Sequence, residues 1–135
     1  MTIEELMYYG RYYSFESKVY HLWWFDLQKA NVYQYDELIQ KFGYSSQEEI
    51  VSSGMFVPLF ETDIVKLEHE FLLLRNYKQI KRLEKQLNSD FDTEFKVFIE
   101  KNDLIKSWHD FEYNRLYQDA IVWCRENHIR NIVIK

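Results

Sequence analysis

Val19-Tyr20-His21-Leu22-Trp23-Trp24-Phe25 and Asn31-Val32-Tyr33-Gln34-Tyr35 are the two stretches that decide the fold. Both are rich in the β-branched and aromatic residues that favour strands. The residues between them are few and mostly polar, so we predict an antiparallel hairpin, although the Asn-Gly pair typical of tight turns is missing. Met55 to Phe60 predicts a third strand. Pro58 has no N–H to donate, so this strand should lie at a sheet edge or end there.

Two short helices are expected between the second and third strands. Asp36 is a candidate N-cap for the first, which Gly43 would end. Ser45 or Ser46 would cap a second brief turn, closed near Gly54.

From Thr62 onward the pattern is helical, because apolar residues recur at three-to-four spacing. Four helices are expected. Thr62 and Ser89 are candidate N-caps of the first and third, the second follows Asn76, and the last runs from Asp103 to about Asn127. The predicted apolar face of the first comprises Ile64, Leu67, Phe71 and Leu74. Asn131 to Lys135 could add a short strand. Together these elements predict an α+β fold, in which a bundle of about four helices from the C-terminal half covers a small antiparallel sheet from the N-terminal half. A length of 135 residues fits a single domain spanning 1–135.

The composition limits the classes of function that fit. Three glycines are too few for a glycine-rich phosphate loop. A lone cysteine, Cys124, cannot form an internal disulfide, which is typical of a reducing compartment. The sequence shows neither a signal-peptide pattern nor an apolar run long enough to cross a bilayer, so we expect a cytoplasmic protein with no membrane partner.

The C-terminal region resembles the signature of an uncharacterised bacterial protein family known only by a provisional family number. That signature reads W-Y-x-F-R, eight variable positions, then A-x-x-W-L-x-E-N-G-I. The segments that carry the resemblance are Trp108-His109-Asp110-Phe111 and Ala120-Ile121-Val122-Trp123-Cys124-Arg125-Glu126-Asn127-His128-Ile129, with Phe95, Phe98 and Leu104 before them and Phe56-Val57-Pro58-Leu59 and Trp24-Phe25-Asp26 upstream. Glu112 stands where the family has Arg, and His128 where it has Gly. The resemblance implies a bacterial cytoplasmic protein and assigns no activity.

Candidate chemical motifs are incomplete. Cys124 and His128 are four residues apart, a spacing that could form a thiolate–imidazole pair or half of a zinc site. His109 and Glu112 are three apart, as in carboxylate–histidine metal sites of helix bundles, but such sites need the motif twice. We therefore predict no metal, no cofactor and no catalytic centre, and interpret the protein as a non-enzyme. An enzyme would require a pocket on which at least two titratable groups converge.

The aromatic content of 19% leads to the first functional hypothesis. Such rings usually fill a core, but strand alternation places some of them outward unless both sheet faces are covered. We therefore predict a protein-interaction module or homodimer contact, since Tyr and Trp favour interfaces. The candidate anchors are Tyr20, Trp23, Trp24, Tyr33 and Tyr35.

A basic helix face is the alternative. Its members are Arg75, Lys78, Lys81, Arg82 and Lys85. Such a stripe could bind nucleic acid or a phosphate ligand, an acidic partner, or nothing but solvent. The net charge of −5 is concentrated in the first half of the chain, which makes a whole-surface nucleic-acid binder an unfavoured interpretation.

Overall fold

The computed structural model describes residues 1–15, 18, 20–75 and 89–134. These residues form an α+β arrangement, which confirms the predicted fold class. The helices within the described ranges are α1 (Ile3–Gly10), α2 (Tyr35–Phe42), α3 (Gln47–Ser53), α4 (Ile64–Leu74), α5 (Ser89–Lys101) and α6 (Ile105–Glu126). The strands there are β1 (Arg11–Tyr12), β2 (Trp23–Asp26), β3 (Val32–Gln34), β4 (Phe56–Pro58) and β5 (Thr62–Asp63). The predicted charged helix after Asn76 lies outside the described residues.

The chain divides into two compact units. The first, which we call the sheet unit, comprises Met1–Gly10, Lys18–Phe60 and Tyr117–Lys135. The second, the helical unit, comprises Arg11–Ser17 and Glu61–Leu116. The single domain expected for 1–135 stays a prediction.

The sheet unit is built on a three-stranded sheet of order β3-β2-β4. β2 and β3 pair antiparallel, with Trp24 opposite Tyr33, so the predicted hairpin is confirmed. β4 also pairs antiparallel with β2 and is an edge strand, as Pro58 predicted. In the hairpin turn, Asp26 Oδ1 accepts hydrogen bonds from the backbone N–H groups of Gln28 and Lys29. Ala30 takes the left-handed conformation (φ 53°) that a glycine would usually supply.

Both faces of this sheet are covered. On one face Trp24 packs in a buried cluster with Leu38, Ile50 and Phe56, which α2, α3 and β4 supply. On the other face the ring of Phe25 meets Trp123 of α6 edge-on, with centroids 5.3 Å apart. Trp24 and Phe25 therefore serve as core on opposite faces of the sheet.

Several helix ends match the expected signals and others do not. Ser46 caps α3, and Gly43 and Gly54 end α2 and α3 in the left-handed conformation. α2 begins at Tyr35 rather than after Asp36, because the Glu37 carboxylate accepts the backbone N–H of Gln34 and extends the helix start.

The start of α4 and the chain end also differ from the prediction. The side chain of Asp63, not Thr62, caps α4, since Thr62 is held in β5 opposite Arg11 while the Asp63 carboxylate accepts two backbone N–H groups. Asp103 occupies a left-handed turn before α6 rather than opening that helix. The terminal strand is reduced to one parallel bridge, Thr2 to Val133.

The helical unit packs α4, α5 and the first part of α6 around aromatic rings. Phe71 makes edge contacts with Phe95, Trp108 and Phe111, at centroid distances of 5.5 to 6.0 Å. The short parallel pair β1 and β5 belongs to this unit and fixes the backbone of Arg11. These elements carry the charged side chains considered next.

Candidate functional site

Four elements of the helical unit bring charged side chains together in its interior. Glu68 on α4, Asp92 on α5 and Glu112 on α6 are 1%, 9% and 7% exposed. Arg11 on β1 and Lys96 on α5 accompany them. We call these five side chains the ionic cluster. Buried carboxyl groups are rare unless they are paired, so each charge of the ionic cluster needs an explanation.

The helix patterns explain why the acids point inward. Glu68 lies four residues after Ile64 and four before Leu72, both of which are buried. Leu74, expected on the apolar face, is exposed, so the buried face of α4 is rotated toward Glu68. On α6, Glu112 is likewise spaced four residues from buried Trp108 and Leu116.

Two ion pairs neutralise part of the ionic cluster. Arg11 Nη1 lies 2.8 Å from Glu112 Oε1, and Lys96 Nζ lies 3.0 Å from Asp92 Oδ2. Burial disfavours the Arg11 guanidinium, but its hydrogen bonds to Glu112 and Tyr13 outweigh that cost and raise the pKa of Arg11. The hydrogen bond to Asp92 similarly raises the pKa of Lys96. Both cations are therefore held in the charged state.

Glu68 and Asp92 form an acid–carboxylate pair. Burial, with a hydrogen bond to Asp92, raises the pKa of Glu68 to about 10. Burial acts against ionised Asp92 too, but the hydrogen bond from Glu68 and the Lys96 ammonium outweigh it and lower the pKa of Asp92. The pair thus holds one proton at neutral pH, which sits on Glu68 and is donated to Asp92.

Three buried carboxyl oxygens of the ionic cluster have no hydrogen-bond donor in the part of the chain that the structure describes. They are Glu68 Oε1, Asp92 Oδ1 and Glu112 Oε2. Glu68 and Asp92 are satisfied by the proton that they share, which forms a hydrogen bond between the two groups. No such proton is available to Glu112 Oε2, whose sister atom Oε1 already accepts from Arg11. A buried acceptor without a partner is uncommon in proteins and is costly.

The ionic cluster borders a cavity of about 290 Å³ in the helical unit. Its polar lining comprises Arg11, Tyr13, Glu68, Lys96, Glu100, His109 and Glu112. Its apolar lining comprises Ile64, Ile99, Ile105 and Trp108. Polar groups that converge on a partly apolar cavity are the usual anatomy of a small-ligand site.

A second cavity, in the sheet unit, has different walls. It measures about 570 Å³ and is more open, and its lining includes His21, Trp24 and Gln47. The carboxylate in its lining, Glu48, is exposed.

The hairpin aromatics predicted as protein anchors lie mostly in contacts within the sheet unit. Trp24 is 2% exposed, and the other four are half-buried. The rings of Tyr20 and Tyr35 stack at 4.1 Å, Trp23 packs on Tyr9 at 4.6 Å, and Tyr33 meets Phe56 edge-on. A partner surface on this hairpin would therefore use partly covered rings.

The basic helix face is described at Arg75 alone, since Lys78, Lys81, Arg82 and Lys85 lie outside the described residues. The Arg75 guanidinium sits 3.7 Å above the ring centre of Phe71, a cation–π contact. The nucleic-acid hypothesis accordingly stays a prediction.

The structure shows what surrounds the two candidate motifs that contain histidine. Cys124 is buried, and desolvation raises the pKa of its thiol, which disfavours a reactive thiolate. His128 takes a left-handed conformation (φ 55°) just after α6, the position that favours the glycine of the resembled family. His109 and Glu112 line the same cavity. Across the described residues, no three His, Cys, Asp or Glu side chains are grouped to hold a metal ion.

Comparison with protein-family models, curated proteins and solved structures gave no match to this chain. The resemblance to an uncharacterised bacterial family stays a prediction. Within the described ranges, no helix has both the length and the apolar character required to cross a bilayer.

Proposed function

We propose that the helical unit binds a small polar molecule in the cavity beside the ionic cluster. The observation that carries this proposal is Glu112 Oε2, a buried acceptor with no donor among the described residues, on a side chain that lines the cavity. A ligand donor placed there would satisfy this oxygen. The ligand must be small, because about 290 Å³ lies at the lower end of the range for ligand cavities.

The walls support recognition by both polar and apolar contacts. Ile64, Ile99 and Trp108 are buried and give the cavity an apolar side. Arg11 and Glu112 are fixed by their ion pair, so the polar side is preorganised. Preorganised groups bind without a further loss of side-chain freedom, which favours affinity for a small ligand.

Binding rather than catalysis is what this geometry favours. A carboxylic acid with a raised pKa is a typical general acid, and the convergence of titratable groups on a cavity is the feature required of an enzyme. However, Glu68 donates its proton to Asp92 rather than to a cavity ligand. The interpretation as a non-enzyme is therefore kept as part of this proposal.

The test blocks the cavity opening and leaves the core intact. Ile105 lines the cavity and is 45% exposed, so Ile105→Trp would narrow the opening at an exposed position. Val97→Trp is the matched control, because Val97 on α5 is equally exposed and does not line the cavity. Both variants and the unmodified protein are screened by thermal shift against a library of small polar metabolites.

We expect compounds that raise the melting temperature of the unmodified protein and of Val97→Trp, but not of Ile105→Trp. Stabilisation by ligand follows from binding to the folded state alone. Compounds that stabilise Ile105→Trp equally, or a screen without any stabilising compound, would contradict the proposal.

A protein-interaction surface on the sheet unit is a second candidate function. Phe42 is 44% exposed, although its ring meets Tyr33 at 5.2 Å and Phe56 at 5.5 Å. Met55, which precedes Phe56 in the sequence, is exposed as well. Exposed apolar side chains grouped around an aromatic core are typical of contact surfaces. Sedimentation velocity over a range of concentrations tests the homodimer form: Phe42→Asp should abolish any self-association, and equal association of both proteins would contradict it.

A further inference from the structure

Among the described residues, the buried wall atoms of the cavity in the helical unit that lack a hydrogen-bond partner are carboxyl oxygens. The guanidinium of Arg11 is engaged by Glu112 and by the Tyr13 hydroxyl. The ammonium of Lys96 is engaged by Asp92. Glu68 and Asp92 share a proton, so among the described residues the buried wall oxygen left without a donor is Glu112 Oε2. A ligand that satisfies these walls has to bring hydrogen-bond donors.

Charge narrows the choice of donor. The groups that face Glu68 are Arg11 from β1, Asp92 and Lys96 from α5, and Glu112 from α6. Each of the two cations is within 3.0 Å of a carboxylate, so neither offers an unpaired positive charge.

The rim of the cavity does not change this balance. Tyr13 after β1, Glu100 on α5 and His109 on α6 complete its titratable lining. Glu100 adds a further carboxylate with no cationic partner among the described residues. Negative groups thus exceed positive ones, which favours a cationic donor over a neutral or anionic ligand.

We propose that the cavity binds a small molecule through a protonated amino group, which lies against Glu112 and Glu68 and displaces the proton that Glu68 holds. This inference rests on the proposed function and names its ligand class. The exchange balances: the N–H groups of the ammonium donate to both carboxylates, the O–H bond of Glu68 breaks, and its proton leaves to bulk water. No covalent bond to the ligand forms.

The exchange predicts a pH dependence with a definite sign. Glu68 retains its proton through the neutral range because of burial and Asp92. Binding that releases one proton becomes stronger as pH rises, by up to about tenfold per pH unit. The increase should continue while the amino group stays protonated, which for a simple alkylamine extends to about pH 9.

The probes are three molecules with one carbon chain and different head groups: butylammonium, 1-butanol and butyrate. The readout is the indole N–H signal of Trp108, which is buried and lines the cavity, followed by NMR titration in amine-free buffers. We expect butylammonium to bind more tightly than butanol and butyrate to bind weakest. Between pH 6 and pH 8.5 butylammonium affinity should rise in the unmodified protein.

Two variants separate proton exchange from general charge effects. Glu68→Gln keeps a neutral donor toward Asp92 but has no proton to release, so its butylammonium affinity should not change with pH. Glu94→Gln removes an exposed carboxylate from α5 outside the cavity and should keep the full pH dependence. An equal pH dependence in Glu68→Gln, or none in the unmodified protein, would overturn the exchange.

The outcomes also distinguish the ligand class from the proposed function. If butyrate or butanol binds best, the ammonium inference is wrong while the cavity still binds ligands. If none of the three probes shifts the Trp108 signal, the ammonium inference is overturned, and the Ile105→Trp screen decides the proposed function separately.

Discussion

The two units solve the problem of burial in opposite ways. The sheet unit fills its interior with rings and aliphatic side chains around Trp24 and Phe25. The side chain of Asp26, a buried acid in that unit, accepts two backbone N–H groups through one oxygen. The helical unit buries three carboxyl groups; two of them share a proton, and among the described residues Glu112 Oε2 has no donor.

This difference assigns different roles to the two interiors. Burial of apolar area stabilises the sheet unit directly. Burial of charge rarely does so, because the loss of hydration offsets much of the attraction between the partners. The ionic cluster therefore contributes less to stability than an apolar core of the same size would, which is the argument for a functional reason to keep it.

The largest expected effect tests the apolar interior. Trp24→Ala removes the central ring of the sheet unit cluster and should lower the free energy of unfolding by about 3–5 kcal/mol. Trp23→Ala is the matched control, since Trp23 is half-buried and packs chiefly on Tyr9. Urea unfolding followed by circular dichroism measures both. Equal losses in the two variants would mean that the buried cluster is not the main support of this unit.

The features of the sheet unit that the sequence predicted are local ones. A hairpin, an edge strand at Pro58 and left-handed ends at Gly43 and Gly54 depend on residues close in sequence, so composition and spacing indicate them. The first residue of a helix is harder to predict, because neighbouring polar residues such as Thr62 and Asp63 can each cap the same helix.

The ionic cluster depends on tertiary packing, and sequence reasoning missed it as a group. Glu68, Asp92 and Glu112 are separated by about twenty residues each, and only helix packing brings them together. A partial signal existed: Glu68 and Glu112 are spaced four residues from apolar core positions on their helices. Their partners could not be predicted, since charged side chains at such positions usually reach solvent.

A second prediction tests whether the charges of the ionic cluster depend on one another. Arg11→Met leaves the buried carboxylate of Glu112 without its cation and should lower the free energy of unfolding by about 2–3 kcal/mol. The double variant Arg11→Met, Glu112→Leu removes both charges and should recover most of that loss. Urea unfolding of the single and double variants gives the coupling. Additive losses would show that the pair is not coupled in the folded protein.

The last effect concerns the proton of Glu68 and depends on pH. The folded protein keeps this proton up to about pH 10, whereas the unfolded chain releases it near 4.5, so the folded state binds more protons between these limits. The free energy of unfolding should therefore fall as pH rises from 5 to 8, by up to about 4 kcal/mol from this group.

Other shifted groups of the ionic cluster leave that window undisturbed. The lowered pKa of Asp92 makes stability depend on pH only below about its ordinary value of 3.8. The raised pKa of Lys96 does so only above about 10.5. Glu68→Gln cannot titrate but can still donate to Asp92. Its stability should match that of the unmodified protein at pH 5 and exceed it at pH 8, as measured by urea unfolding at each pH. Parallel pH profiles for the two proteins would show that Glu68 is ionised when folded, and the helical unit would then tolerate a further buried negative charge instead of a shared proton.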